Sequence, residues 1–203
     1  MKALITRKVG MTSTINEHGV VQAITLLSVG EHTVIAHKTE EVDGYSAIQI
    51  GAEETKKISK AVAGHTKAAK TMPKIIREFR VSEVPEELNI GAKISTDVFS
   101  VGDIVHATGT SKGKGWAGTI RRHNFHRGRK THGGRSYRRV GSIGSMYPQR
   151  IFKGKKMAGQ LGGDQVTVRN LKVALVDREN SLIGVTGAVP GPRKSVVIIK
   201  EAK

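Results

Sequence analysis

Lys112, Lys114, Arg121, Arg122, Arg127, Arg129, Lys130, Arg135, Arg138, Arg139, Arg150, Lys153, Lys155 and Lys156 all fall in one stretch, Ile104 to Gly163. That stretch contains no Asp and no Glu. An arginine fork matches phosphate oxygens and stacks on flat rings, while lysine supplies a compact charge. Fourteen such groups without one carboxylate repel each other, and only a polyanion can neutralise them. The other 20 Lys and Arg face all 17 acids, so the basicity belongs to this segment. Thirteen of the 24 glycines lie between Gly109 and Gly163, which makes poor core and good material for close approach to phosphates. Trp116, Phe125, Tyr137, Tyr147 and Phe152 are five of the eight aromatic residues. They can stack on bases or form small packing clusters, and the sequence leaves both open.

Other chemistries fit less well. Gly113-Lys114 and Gly154-Lys155 lack the Ser or Thr that must follow the lysine of a nucleotide-binding loop. His106, His123, His126 and His132 have no carboxylate or Cys within the stretch to complete a metal site, and the surrounding charge opposes a cation. The acids elsewhere show no motif marking an acid–base pair. The expectation is therefore no catalytic residue, no metal and no cofactor.

The elements that must hold this stretch are mostly strands. Met1–Ile5, Met11–Ile15, Val20–Val29, Thr33–Thr39 and Tyr45–Ile50 read as short β-segments separated by turns at Asn16-Glu17-His18-Gly19 and Asp43-Gly44. Residues 52 to 80 change character. Thr55–Val62 and His65–Lys70 suit helices, Pro73 breaks them, and Lys74–Phe79 suits either a helix or an extended piece. This predicts a helix-containing insertion on the β body. Strands return over Val81–Val105, turn at Ser100-Val101-Gly102-Asp103 and continue at Ile104–Thr108. After the basic excursion, at about 109–163, the β pattern resumes at Gln165–Asp177, Ser181–Val189 and Ser195–Lys200. One β-rich domain over 1–203, a barrel or a sandwich, extrudes the excursion and takes it back.

Length and composition set the limits. The chain has 203 residues, a net charge of +17 and no Cys. Without the basic stretch, about 140 residues remain, enough for one hydrophobic core. A charge of this size points to nucleic acid first and an anionic membrane surface second. The absence of Cys removes disulfides and thiol nucleophiles. No apolar run approaches 18 residues, so no membrane span is expected, and MKALITRKVGMTSTI does not suit a signal peptide. The expected location is the cytoplasm.

Gly109-Thr110-Ser111-Lys112-Gly113-Lys114-Gly115-Trp116-Ala117-Gly118, with Arg122 four residues on, resembles the signature of the large-subunit ribosomal protein three family. Lys8-Val9-Gly10-Met11-Thr12, Gly64-His65, Arg77-Glu78-Phe79-Arg80, Gly141-Ser142-Ile143-Gly144, Phe152–Gly159 and Gly187-Ala188-Val189-Pro190-Gly191 follow in family order. The signature usually has Asp or Asn where His106 stands, which reads as a strand end. Ser145 stands where many bacterial members carry a methylated Gln, and the spacing of the tip is more like the archaeal and eukaryotic form.

The resemblance implies a mainly β protein with a translation-factor-type barrel and a loop that penetrates large-subunit ribosomal RNA toward the peptidyl transferase centre. It implies an early role in subunit assembly, neighbouring large-subunit ribosomal proteins as partners, and no membrane. The expected RNA contacts are the fourteen basic residues, with Lys8, Trp116, His123 and Phe125. Ser145, Met146 and Tyr147 form the expected loop tip. Charge alone would also allow a DNA-binding architectural protein, which would not discriminate against the 2′-hydroxyl.

Overall fold

A computed structural model describes residues 2–16, 19–82, 85 and 88–202. Glu17 and His18 of the first expected turn, and positions 1, 83, 84, 86 and 87 of expected strands, lie outside the described residues. The strands and helices in chain order are β1 (Ala3–Ile15), β2 (Val21–Val29), β3 (His32–Lys38), α1 (Glu40–Asp43), β4 (Ala47–Glu54), α2 (Lys60–Thr66), β5 (Pro73–Arg80) and β6 (Lys93–Ile94). Then come β7 (Ile104–Thr110), β8 (Trp116–Ala117), α3 (Thr119–His123), β9 (Gly159–Gln160), β10 (Gln165–Asp177), β11 (Leu182–Thr186) and β12 (Val196–Glu201). They form two compact units: Met1–Thr110 with Gln165–Lys203, and Ser111–Asp164.

In the first unit, six strands close a barrel in the order β1-β12-β7-β10-β11-β2, and β5-β4-β3-β6 form a second sheet. The mainly β expectation therefore holds, and the barrel is the closed form. Closure removes the exposed strand edges that would otherwise pair with other chains. Leu4, Leu27, Val105, Val173, Ile183, Val197 and Ile199 of the barrel share one core with Val34, Ile48, Ile50 and Phe79 of the second sheet. Each such side chain contributes roughly 1.5–3 kcal/mol on burial, which offsets much of the ordering entropy.

Two features of the barrel strands differ from the sequence reading. Met1–Ile5 and Met11–Ile15, expected as separate strands, belong to one strand, β1. The strand does not break at Arg7-Lys8 because it changes partners there. Ala3–Arg7 pair with β12, Thr6–Ile15 pair with β2, and a bulge between Lys8 and Gly10 absorbs the extra residue. His106 is not at a strand end but inside β7. Its Nδ1 accepts the Asn170 N–H at 3.2 Å, where β10 shifts register between Val168 and Leu171 and Asn170 takes φ 57°.

Residues 52–80 carry one short helix, α2, whose first turn is capped by the Ser59 hydroxyl accepting from Val62 N–H at 3.3 Å. Lys74–Phe79 are extended, within edge strand β5. Its opening proline and its Lys74, Arg77, Glu78 and Arg80 blunt that edge. Over Val81–Val105 the described residues hold only the two-residue β6 and a single 3-10 turn at Thr96–Val98 before β7.

His32 joins the barrel to the second sheet. It is fully buried, and its Nε2 lies 3.0 Å from Ile5 N and 2.7 Å from Ile5 O. Burial holds its imidazole below the ordinary pKa, so the ring is neutral.

Candidate nucleic-acid interface

The second unit begins as a narrow two-stranded neck. Ser111 N–H donates to Asp164 O at 2.9 Å, Lys114 N–H to Leu161 O at 2.8 Å and Leu161 N–H to Gly115 O at 3.0 Å. β8 and β9 continue the ladder through the pairs Trp116–Gln160 and Ala117–Gly159. Gly162 has φ +74°, and a Cβ there would sit 2.1 Å from Lys112 O. Only glycine lets the two arms come this close.

Helix α3 is one turn long. It starts after an extended Gly118, whose carbonyl accepts from Arg122 N–H at 2.9 Å, and it stops at Asn124 with φ 56°. This turn aims Arg122 back at the returning arm. Arg122 Nε donates to Gln160 O at 3.1 Å and Nη1 to Met157 O at 2.8 Å. His123 Nε2 lies 3.0 Å from the same Met157 carbonyl, and its ring sits 6.0 Å from that of Phe125.

Beyond α3 the two arms hold themselves by few contacts. The Arg127 guanidinium lies 5.7 Å from the Tyr137 ring centre and donates to its hydroxyl at 2.9 Å, while Gly128 N–H donates to Tyr137 O at 3.0 Å. Arg150 lies 5.7 Å from the Phe152 ring centre. At the tip, the Ser142 hydroxyl donates to Gly144 O at 2.8 Å and the Ser145 hydroxyl to Tyr147 O at 2.6 Å. Met146 and Tyr147 are left 91% and 85% exposed.

No residue from Arg121 to Ala158 is buried. Lys112, Lys114, Arg121, Arg129, Lys130, Arg135, Arg138, Arg139, Lys153, Lys155 and Lys156 are all exposed, as are Arg122 beside the returning arm and Arg127 and Arg150 above their rings. All ion pairs among the described residues lie in the first unit, including Lys2–Asp103 at 2.7 Å, Arg7–Glu53 and Lys38–Asp43 at 2.7 Å. The Arg7 hydrogen bond holds the Glu53 carboxyl below its ordinary range, and the Lys2 hydrogen bond does the same for Asp103. The ion pairs thus belong to the body, and the second unit presents its charge to solvent.

Three placements refine the sequence reading. Lys8 is apart from the others and turned into the body, where its Nζ donates to Val189 O at 2.7 Å and Gly191 O at 3.2 Å. Tyr137 and Phe125 are half-buried in local contacts, whereas Trp116 is 80% exposed and free to stack. Arg122 and His123 contact main-chain carbonyls of the opposite arm. Residue types could not reveal that contact, because any residue supplies a carbonyl. Gly159 was the available signal: a Cβ there would meet Arg122 Nη1 at 3.0 Å.

The family model described as ribosomal protein L3 matches residues 30–182. The chain is 46% identical over 204 aligned residues to the large ribosomal subunit protein uL3 of Bacillus thuringiensis (strain Al Hakam), covering 99% of this chain and 97% of that protein. The uL3 proteins of Bacillus cereus (strain B4264) and Bacillus anthracis (strain CDC 684 / NRRL 3495) match to the same extent. Signature, basic excursion and near full-length similarity agree, and the chain belongs to the ribosomal protein L3 family.

Proposed function

We propose that this protein binds large-subunit ribosomal RNA through residues 111–163 and supports early assembly of the subunit in the cytoplasm. It is a structural constituent of the ribosome and not an enzyme. The observation that carries the RNA-binding role is the acid-free excursion with no buried residue from Arg121 to Ala158. A segment that can neither neutralise nor bury itself must be completed by its partner. Lys112, Lys114, Arg121, Arg127, Arg129, Lys130, Arg135, Arg138, Arg139, Arg150, Lys153, Lys155 and Lys156 supply the charge, roughly half of them meeting phosphate directly, and Trp116 offers a stacking face.

The tip extends toward the peptidyl transferase centre. Its span Gly141 to Pro148 is uncharged, while Arg135 to Arg139 and Arg150 to Lys156 flank it. Basic arms neutralise phosphate on the way in and leave Met146 and Tyr147 to pack against bases. From Thr119 to Ser145 a fully extended arm would reach at most ~90 Å, so even a third of that passes deep into folded RNA.

A tagged copy should co-sediment with large subunits through high-salt gradients. Recovery only in the free-protein fractions would overturn the ribosomal role.

A further inference from the structure

We infer that Arg122 is a positioning residue that clasps the two arms of the excursion, and not one of its phosphate ligands. The inference rests on the RNA-binding role proposed above for the rest of the segment. Arg122 bridges two carbonyls three residues apart on the returning arm, Met157 O and Gln160 O, from a helical turn on the outgoing arm. A guanidinium grips phosphate two-handed along either of two edges, Nε with Nη2 or Nη1 with Nη2. The first edge has given its single Nε–H to Gln160 O at 3.1 Å, and the second has one of the two Nη1 N–H groups engaged at 2.8 Å. Other arginines of the segment, such as Arg138 and Arg139, have no such hold.

The neighbourhood is built around this side chain. Gly159 leaves the space in which the guanidinium lies, since a Cβ would meet Nη1 at 3.0 Å and Cζ at 3.2 Å. His123 supports the same Met157 carbonyl at 3.0 Å. The clasp stands where the β8–β9 ladder ends, so it fixes how the arms leave the neck side by side. Beyond it the excursion holds no buried side chain to do so.

Charge and geometry separate the two roles. Arg122→Lys keeps the charge and loses the two-carbonyl bridge; Arg122→Gln loses both. Two readouts on the full chain decide: amide exchange at Lys114 and Leu161, and the salt slope of binding to large-subunit ribosomal RNA. As a clasp, both variants should speed exchange by about tenfold or more, with the wild-type salt slope retained in both. Gly159→Ala, which removes no charge, should speed exchange at the same amides. A slope lowered by ~0.7–0.9 in Arg122→Gln alone would make Arg122 a phosphate ligand and overturn the inference. Unchanged exchange in all three variants would overturn it as well. Wild-type protein that fails to bind RNA would overturn the broader role, while the exchange measurement would still decide the clasp. A retained thermal transition of the body shows that the variants fold.

Discussion

Met146 and Tyr147 are the two most exposed large apolar side chains described, at 91% and 85%, in a tip that carries no charge. Nothing in the second unit covers them, which leaves both side chains open to a partner. Met146→Ala with Tyr147→Ala should leave subunit assembly largely intact, because the arms supply most of the attraction. It should alter peptidyl transfer, accommodation of aminoacyl-tRNA or sensitivity to drugs of that centre. Assembled subunits with unchanged activity and drug response would reject the tip's role, and loss of assembly alone would make the tip structural. Arg138 and Arg139 test the arms. Neutralising both should reduce the magnitude of the salt slope by about two contacts, or ~1.4–1.8. An unchanged slope would show that the pair faces solvent. The identities of these residues were legible because charge and its local imbalance are properties of sequence. The carbonyl contacts of Lys8 and Arg122 were not, because their partners are the main-chain groups of Val189, Gly191, Met157 and Gln160.

Among the elements, strands β2, β7 and β10 appear within two residues of where alternation and turn signals put them. The continuity of β1 was hidden because Arg7 and Lys8 look like a break, and only the change of partner at the bulge explains them. The β10 bulge at Asn170 was equally silent, since a positive φ at Asn leaves no pattern. The junction between β2 and β3 yields a pH prediction. Burial lowers the pKa of His32 in the folded state, so protons bind the unfolded chain more readily. Stability from the neutral ring is therefore complete above the ordinary value of 6.5 and falls as pH drops below it toward the folded-state pKa. The slope is at most ~1.4 kcal/mol per pH unit. Urea midpoints from pH 7.5 to 5 should fall for wild type and flatten for His32→Gln; the same profile in both would remove His32 as the cause. At the neck, Gly162→Ala should disturb the Lys112 carbonyl it would collide with and speed exchange at Lys114, while the melting of the barrel stays put. Neck exchange at the wild-type rate would mean that the arms relax around the added methyl at little cost.

As a whole molecule, the chain divides its physics between two units. One buries a core and holds the ion pairs found among the described residues; the other buries only Ala117, Thr119 and Gly159 and holds none of them. That division was readable from composition, which concentrates fourteen positive charges and thirteen glycines in one stretch. How the arms lie against each other was not readable, because it depends on backbone bonds across the neck. Brief trypsin treatment of the free protein should cut between Arg121 and Lys156 and spare the barrel, and assembly into subunits should protect those bonds. A resistant excursion in the free protein would mean that it has a stable fold without RNA. The most direct test is the salt dependence of binding to large-subunit ribosomal RNA. If roughly half of the basic residues of the excursion other than Arg122 meet phosphate, log affinity should fall against log salt with a slope of about −5 to −6, and matched DNA should bind more weakly. A slope near zero, or equal affinity for the DNA, would contradict the role assigned to residues 111–163.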